Sequence, residues 1–215
     1  IVFGDWSSDV CSSDLARNVL EVLRQPLENK NISISRTKTT IEYPANFMLV
    51  CSMNPCPCGN FGNPVKECSC SPNMIHKYLS KVSGPLLDRI DIHVEVPAVK
   101  YQELSSTRTG ESSEVVRERV VNARQIQYER YNSLNGIFKN ADLNSKYIRK
   151  FCKLDTPSQE LLKVAMNRLG LSARAFDRIL KVARTIADLS GSADVKVEHI
   201  SEAIQYRSLD RQYWK

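Results

Sequence analysis

The spacing of apolar residues changes near Pro97, and this change constrains the fold more than any other feature of the sequence. Before Pro97, short apolar runs and alternating segments are mixed with helical patterns, as in an α/β domain. After it, apolar residues recur only at helical spacing. The intervening residues 98–112 are polar and rich in serine and threonine, which is typical of a linker. We therefore expect an α/β domain over residues 16–97 and a helical domain over residues 113–215.

Four segments predict the elements of the α/β domain. Residues 17–28 have a helical apolar face, which Pro26 should bend or end. Residues 32–43 alternate on either side of a polar tip and predict a β-hairpin. Residues 47–53 form a continuous apolar run, which predicts a strand buried in a parallel sheet. In residues 90–96 apolar and polar side chains alternate, which predicts a strand with one buried face.

Capping signals mark where further helices begin. The pairs Ser71-Pro72 and Thr156-Pro157 each place a hydroxyl cap before a proline at the first helical position. Gly170 can end the second of these helices, and Ser172 is suited to cap the next one. Apolar spacing in the helical domain predicts inward faces for a long first helix, for the helix after Ser172 and for a last one. The residues concerned are Val116, Val120, Ala123, Gln127, then Phe176, Ile179, Leu180, Ala183, Ile186, Ala187, then Val197, Ile200 and Ile204.

Residues 1–15 differ from everything that follows them. They are rich in serine and aspartate, have neither a helical nor a strand period, and resemble the translated read-through of a sequencing adaptor. The alternative is a native acidic loop. We expect this segment to be foreign or unstructured and to contribute no strand to the sheet.

The charge and the hydropathy of the chain limit the partners and the cellular locations that we expect for it. A formal net charge of +6 is a weak indication of a polyanionic partner such as DNA. No apolar run is long enough to cross a bilayer, and no signal-peptide pattern opens the chain. We therefore expect a cytoplasmic location and no membrane partner.

Four of the seven cysteines lie within fifteen residues, as the pairs Cys56 with Cys58 and Cys68 with Cys70. In a reducing cytosol such a cluster is more often a metal site than a disulfide framework. Tetrahedral zinc takes four thiolates at about 2.3 Å, and glycines between the pairs permit the turn that would bring them together. Because each pair is spaced more tightly than the usual zinc knuckle, reduced thiols and a redox role stand as alternatives to a structural zinc ion.

Two polar residues stand beside the predicted strands. Asn54 follows the run 47–53, and ligands collect at the carboxyl ends of strands in open α/β sheets. Its amide can orient a water or contact a phosphate, or it can simply form an Asn-Pro turn. Arg89 stands between Asp88 and Asp91, which fits either a structural ion pair or an arginine finger that reaches a neighbouring subunit's phosphate.

Three cations, Arg174, Arg178 and Lys181, share one face of the helix that follows Ser172. This face lies opposite the apolar stripe. A solvated basic face is one interpretation of the pattern. The other is a helix whose first turn directs an arginine at a nucleotide phosphate.

Five segments, taken in order, are similar to the magnesium-chelatase-like AAA+ ATPases of the ComM or YifB type. They are RNVLEVLRQPLE, ISISR, YPANFMLVCSMNPCPCGN, SGPLLDRIDIHVEVP and SARAFDRILKVARTIADL. The resemblance extends from Arg17 to about Arg207. It implies an α/β fold, the C-terminal half of an AAA+ P-loop core followed by an α-helical lid domain. For the intact protein it implies ATP and Mg²⁺ as cofactors and a homo-oligomeric ring, with six subunits as the family expectation.

The resemblance also assigns roles to single residues. Asn54 matches the sensor 1 asparagine, which positions the attacking water. Arg89 matches the arginine finger. Arg174 matches the sensor 2 arginine of the lid, and Arg178 is a further candidate contact to the nucleotide.

The resemblance extends to the hairpin at residues 32–43, which is similar to the pre-sensor 1 hairpin. In related helicases that hairpin points into the central pore, so Arg36 and Lys38 are candidate DNA contacts. The family's Walker A loop would lie upstream of this chain, and Asp14-Leu15 does not reproduce the Walker B pair expected just before Arg17. We therefore expect that this chain alone does not hydrolyse ATP.

The function implied is that of a fragment of a ring-forming AAA+ ATPase that couples ATP hydrolysis to DNA remodelling, such as branch migration in natural transformation. One alternative keeps the fold but remodels a protein partner that inserts metal into a tetrapyrrole. A second alternative is a non-enzymatic, zinc-stabilised nucleic-acid-binding module. Stimulation of ATP hydrolysis by DNA would separate the first two functions.

Overall fold

The structure, a computed structural model, describes residues 10–11, 15–37, 39–97 and 110–207. Within these ranges the chain divides into two compact units, one ending at Ile90 and the other beginning at Asp91. All but the last three residues of the predicted linker 98–112 lie outside the described ranges.

The first unit combines short strands with short helices. Two strands pair antiparallel as the predicted hairpin, and two others pair in parallel. The strands are β1 Val10–Cys11, β2 Asn31–Arg36, β3 Thr39–Pro44 and β4 Cys51–Ser52. The helices are α1 Arg17–Val22, α2 Arg24–Asn29, α3 Pro72–Leu79 and α4 Gly84–Leu87.

The helix predicted over residues 17–28 is interrupted at Leu23, and Pro26 lies in the first turn of α2. Proline lacks an N–H and its ring clashes with the carbonyl four residues earlier, so a continuous helix cannot run through this point. The prediction that the helix bends or ends near Pro26 is confirmed as a break at Leu23. The two helices help to form a small apolar core, whose buried members are Leu20, Val82, Leu86 and Leu87.

The prediction that residues 1–15 contribute no strand is wrong at Val10 and Cys11. These residues form β1 and pair in parallel with β4, Val10 with Cys51 and Cys11 with Ser52. Leu15 packs, partly buried, against the apolar core of the same unit. A two-residue strand is too short to produce an alternating pattern, so periodicity could not have revealed it.

The apolar run 47–53 is not the buried strand that we predicted. Only β4 forms within it, and Met48 and Val50 are 83% and 56% exposed. Within the described residues β4 pairs with β1 alone. A two-stranded parallel sheet cannot cover either of its own faces, and parallel sheets are normally covered on both.

The strand predicted over residues 90–96 does not form either. Its apolar residues Val94 and Val96 are exposed, whereas His93, predicted to face outward, is buried. The backbone N–H of His93 donates to the carbonyl of Tyr206 at 2.8 Å. A single hydrogen bond of this kind fixes one residue and does not create the ladder that a strand requires.

The second unit is helical, as predicted. Its helices are α5 Ser113–Tyr131, α6 Ser145–Phe151, α7 Thr156–Leu169, α8 Ala173–Leu189 and α9 Val197–Gln205, with a 3₁₀ turn at Asn140–Asp142. Helix α8 packs against α5, α6 and α9, and α7 packs against α9. In the part of the chain that the structure describes, no helix combines the length and the apolar character needed to span a bilayer.

Most of the predicted helix ends are confirmed. The hydroxyl of Ser71 accepts from the backbone N–H of Met74, and Ser172 caps α8 in the same way. Gly170 ends α7 with a left-handed φ of +61°, which a residue without a Cβ adopts at little cost. One cap differs, because Asp155 and not Thr156 accepts the N–H of Ser158.

Apolar spacing overestimated burial at the starts of two helices. Phe176, in the first turn of α8, is 37% exposed, and Val116 and Val120 in the first half of α5 are also exposed. Further along both helices the predicted faces are inward, for example at Ile179 and Ala123. A periodic pattern identifies the side of a helix but not the length over which another element covers it.

A buried carboxylate joins the helices of the second unit. Asp188, at the end of α8, is 2% exposed. Both of its oxygens accept from Arg130 of α5, at 2.9 and 2.5 Å, and one also accepts from Arg184 at 3.1 Å. The amide of Asn140 donates to it at 2.8 Å, and Asn140 in turn accepts from the hydroxyl of Tyr131 at 2.6 Å. These contacts satisfy a charge that would otherwise be costly to bury.

We predict that Asp188→Asn destabilises the second unit by about 3–5 kcal/mol, because the change leaves two arginine side chains without their carboxylate. Urea unfolding, followed by the circular dichroism signal of the helices, measures the loss of unfolding free energy. The exposed Asp194 offers a matched control, and Asp194→Asn should change stability by no more than about 0.5 kcal/mol. A loss below about 1 kcal/mol for Asp188→Asn would contradict the proposed importance of this carboxylate.

Candidate functional site

The loop between β4 and α3 carries the four clustered cysteines, and its backbone turns back on itself. Gly59 and Gly62 have φ values of +76° and +79°, a left-handed conformation that residues with a Cβ rarely adopt. The N–H of Gly59 donates to the carbonyl of Cys56 at 3.0 Å. The side-chain oxygen of Asn63 accepts from the N–H of Val65 at 2.8 Å. The glycines and these local bonds bring the two cysteine pairs together.

The four sulfur atoms converge on one point. The Sγ atoms of Cys56 and Cys58 are 3.4 Å apart, and the Sγ of Cys68 lies 3.7 and 3.6 Å from them. All four, including that of Cys70, lie within 4.8 Å of one another. Zinc bonds of about 2.3 Å in a tetrahedron place the sulfurs about 3.8 Å apart. The cluster therefore has the residue types and the spacing that a structural zinc ion requires.

The charge state of the cluster also favours a cation. Hydrogen bonds from the backbone N–H groups of Asn60 and Ser69 lower the pKa of the Cys58 thiol to about 5. The pKa of Cys68 is raised to about 12: the N–H of Cys70 favours its thiolate, but desolvation and the neighbouring sulfurs together oppose a second negative charge. A divalent cation would offset the repulsion among several thiolates held this close.

The cysteines' immediate surroundings complete this geometry. Cys56 is fully buried, and the backbone N–H of Phe61 donates to its sulfur at 3.3 Å. The side-chain amide of Asn60 donates to the carbonyl of Cys58 at 3.1 Å. None of the four cysteines is in a disulfide.

The next residues are those of the first unit that were predicted to contact nucleotide or DNA. Asn54 follows β4 closely and its side chain is exposed. Arg36 is exposed at the end of β2, where the hairpin turns. Lys38 lies outside the described residues. Both faces of the hairpin are largely open, and Ile34 opposite Ile41 remains about half exposed on one of them.

Arg89 is buried, which its proposed role as an arginine finger did not predict. Its side chain is 8% exposed and forms an ion pair with Glu28 of α2. It also donates to the carbonyl of Pro85 at 2.6 Å. Sequence neighbours suggested Asp88 and Asp91 as partners, but the carboxylate that binds the guanidinium lies 61 residues away. No short-range spacing in the sequence could reveal this pairing.

The cations of α8 are positioned within the second unit. Arg174 is exposed in the first turn, directly after the Ser172 cap. Arg178 forms an ion pair with Asp91. The ammonium of Lys181 donates to the carbonyl of Ala141 at 3.0 Å. Arg178 and Lys181 therefore have partners within the unit, so the face is more than a solvated surface.

Comparison with known families covers almost the whole chain. Residues 11–104 match the family model described as magnesium chelatase, subunit ChlI. Residues 110–207 match the model described as magnesium chelatase, subunit ChlI C-terminal. The mixture of helices and strands in the structure is compatible with the α/β fold of AAA+ type that the sequence predicted.

Individual relatives agree with the family models. Over 199 residues the chain is 45% identical to the competence protein ComM of Haemophilus influenzae, and the alignment covers 92% of this chain and 38% of that protein. It is 44% identical over 200 residues to the uncharacterized protein YifB of Escherichia coli K12, with the same two coverages. The uncharacterized protein Mb2921c of Mycobacterium bovis is 35% identical over 199 residues, which cover 93% of this chain and 39% of that protein. The chain thus spans less than half the length of these relatives, and it belongs to the magnesium-chelatase-like family that includes ComM and YifB.

Proposed function

We propose that the chain is part of a ring-forming AAA+ ATPase, and that the intact protein couples ATP hydrolysis to the remodelling of DNA. The observation that carries this proposal is the 45% identity to a protein named for competence, over 92% of the chain. The net charge of +6 and the exposed Arg36 at the hairpin turn are consistent with a polyanionic partner. In the intact ring, six subunits in the cytoplasm would present Arg36 and Lys38 to DNA.

In this proposal four residues act on bound nucleotide. Asn54 orients the attacking water, and Arg174 closes the helical lid over the phosphates of its own subunit with help from Arg178. Arg89 reaches the nucleotide of the neighbouring subunit, where it stabilises charge on the transferring phosphoryl group. ATP and Mg²⁺ are the cofactors of the intact protein. The Walker motifs that hold them are supplied by other parts of that protein.

The buried position of Arg89 adds a step to this mechanism. Its guanidinium is bound by Glu28 and by the carbonyl of Pro85. To act on a neighbouring subunit it has to exchange the carboxylate of Glu28 for a phosphate oxygen. Carboxylate and phosphate each offer two anionic oxygens to a guanidinium, so the exchange keeps its hydrogen bonds satisfied.

We further propose that Cys56, Cys58, Cys68 and Cys70 hold one structural zinc ion. The ion would supply a cross-link between the two ends of the loop, and no open coordination position is needed for that role. Because Cys56 follows Asn54 so closely, fixing the loop also limits the positions that Asn54 can occupy. The cluster thereby supports the nucleotide site without taking part in its chemistry.

A second candidate function keeps the ATPase and changes its target. Both matching family models describe a magnesium chelatase subunit, which favours an ATPase that remodels a protein partner. The two functions differ in whether DNA should change the rate of ATP hydrolysis. Only a DNA-remodelling ATPase should hydrolyse ATP faster when DNA is added.

We predict that ATP turnover by the intact protein rises when DNA is added, and that Arg89→Ala lowers turnover by about 10³-fold, the low end for an arginine finger. The exposed Arg117 of α5 is the matched control, and Arg117→Ala should leave turnover unchanged. ATP turnover that does not change when DNA is added, but rises when a protein partner is added, would favour the chelatase-type function.

Mixed rings test whether Arg89 acts across the subunit boundary. Arg89→Ala subunits are mixed with subunits disabled at Walker A, each inactive alone. Some interfaces then pair an intact Walker A loop with an intact Arg89, so activity should partly return. Confirmed mixed rings without recovery would show that Arg89 serves only as the structural partner of Glu28.

We predict that the purified chain contains about one zinc ion, measured by elemental analysis, and that Cys68→Ser removes most of it. A serine hydroxyl is a poor zinc ligand at neutral pH, so three thiolates remain. Cys51 is exposed and outside the cluster, and Cys51→Ser should leave the zinc content unchanged. Equal zinc content in the two variants would exclude the cysteine cluster as its site.

The thiol pKa values predict an order of alkylation in the zinc-free chain. Cys58, whose pKa is lowered to about 5, is a thiolate at pH 7 and should react first with iodoacetamide. Burial raises the pKa of Cys152 to about 11, so its thiol should remain unmodified at that pH. Adding zinc beforehand should protect Cys58, as peptide mass spectrometry can measure. Alkylation of Cys58 at the same rate with and without zinc would contradict a zinc-bound thiolate.

A further inference from the structure

The exposed side of α6 carries only positive charge. Three cations lie there at helical spacing, Lys146, Arg149 and Lys150, and Lys153 follows directly after the C-cap Cys152; we call these four residues the basic stripe. Positions three and four residues apart lie on the same side of a helix. All four side chains are exposed, while Ile148 and Cys152 on the other side are buried in the core of the second unit.

Among the described residues, the cations of the basic stripe have no acidic partner. Residues 145–153 contain no aspartate or glutamate, and no ion pair joins any of the four cations to an acid within the described ranges. The nearest acids in sequence are otherwise engaged. Asp142 accepts from the N–H of Phe138, and Asp155 caps α7. Some other cations of this unit are paired, as Arg119 is with Glu111.

Aromatic rings lie beneath the lysines of the stripe. The ammonium of Lys146 lies 5.8 Å from the ring centre of Tyr147, and that of Lys150 lies 5.1 Å from the ring centre of Phe151. The two rings are stacked on each other, with centroids 6.2 Å apart. Cation–π attraction of this kind limits the positions that each ammonium occupies, while its remaining donors point to solvent.

Stabilisation of the helix itself does not account for this arrangement. Cations near a helix C-terminus interact favourably with its dipole, which explains Arg149 and Lys150 in the last turn of α6. Lys146, however, lies in the first turn, where the dipole disfavours positive charge. A ligand with several negative charges in a row would explain why cations occupy both ends.

The spacing fits a phosphate backbone better than a membrane. From Lys146 to Lys150 a helix rises about 6 Å, close to the rise of two phosphates of one strand along the DNA axis, about 3.4 Å each. Amphipathic helices that bind membranes insert large apolar side chains. None of the large apolar side chains exposed in the described residues belongs to α6.

We propose that the basic stripe is a nucleic-acid contact of the helical unit, which binds phosphates independently of the hairpin residue Arg36. The proposal rests on the DNA-directed function proposed above and assigns it a second surface. Its contacts are to phosphates and not to bases, so it favours no sequence. Contacts from two surfaces on one DNA molecule would combine to raise the overall affinity.

The test compares variants of the full 215-residue chain by fluorescence anisotropy with a labelled 20-base-pair duplex over a range of salt concentrations. The stripe variant changes Lys146, Arg149, Lys150 and Lys153 to Gln. The charge-matched control changes four other exposed cations, Arg117, Arg124, Lys163 and Arg168, to Gln. Circular dichroism verifies that both variants keep the helical content of the parent chain.

The stripe variant should bind the duplex about 10- to 100-fold more weakly at low salt. Its plot of log affinity against log salt concentration should lose about 3.6 units of slope if all four cations contact phosphates, since each contact contributes about 0.9. The control should lose less than about one unit. A variant with Lys146, Lys150 and Lys153 changed to Arg keeps the charges and should bind like the parent. Equal losses in the stripe and control variants would overturn the proposal, since they would reflect net charge alone.

Two further measurements separate this proposal from the proposed function. If an Arg36→Gln, Lys38→Gln variant loses affinity while the stripe variant does not, the stripe proposal fails and DNA binding stands. If the parent chain binds neither duplex nor single-stranded DNA at low salt, both proposals fail for this chain. Vesicles of phosphatidylcholine with about one third phosphatidylserine test the membrane alternative. Loss of vesicle binding without loss of DNA affinity in the stripe variant would also overturn the proposal.

Discussion

The second unit depends on a single buried carboxylate. Asp188 joins the end of α5 to the end of α8 through Arg130, and its own helix contributes Arg184. The same Arg184 donates to the carbonyls of Ser192 and Ala193, so the loop after α8 is held as well. Helix α8 also packs against α6 and α9. The carboxylate that fixes α8 against α5 therefore also helps to position these two helices and the surfaces that they carry. A charged group in this position accepts only one arrangement of its donors, whereas apolar packing tolerates several.

Features with a local cause could be predicted from the sequence. The Ser172 cap, the Gly170 stop and the break near Pro26 each depend on the backbone preferences of one or two residues. The cysteine cluster could also be predicted, since turn-forming glycines between two close pairs of cysteines bring the four thiols together. The inward face of α8 followed from spacing alone, except at Phe176.

Features with a distant cause could not be predicted. The pairing of Arg89 with Glu28 joins residues far apart in sequence, and both have acidic or basic neighbours that looked equally suitable. The exposure of residues 47–50 depends on which strands lie beside β4, a property of the sheet and not of the segment. Apolar runs indicate that burial is favourable, but they do not specify what provides it. The same reasoning applies to the first half of α5, whose valines follow a helical pattern without being covered.

The exposed apolar run before β4 affects how the chain behaves at high concentration. Phe47, Met48 and Val50 present apolar side chains just before β4, whose one strand partner within the described residues is the two-residue β1. Apolar extended backbone beside an open strand is a template on which other chains can add, and natural sheets conceal such edges with charges, prolines or a covering helix. Prepared at high concentration, the chain should therefore form oligomers by strand addition at this edge. Charged side chains introduced at positions 48 and 50 would keep it dispersed and leave the four cysteines of the cluster unchanged.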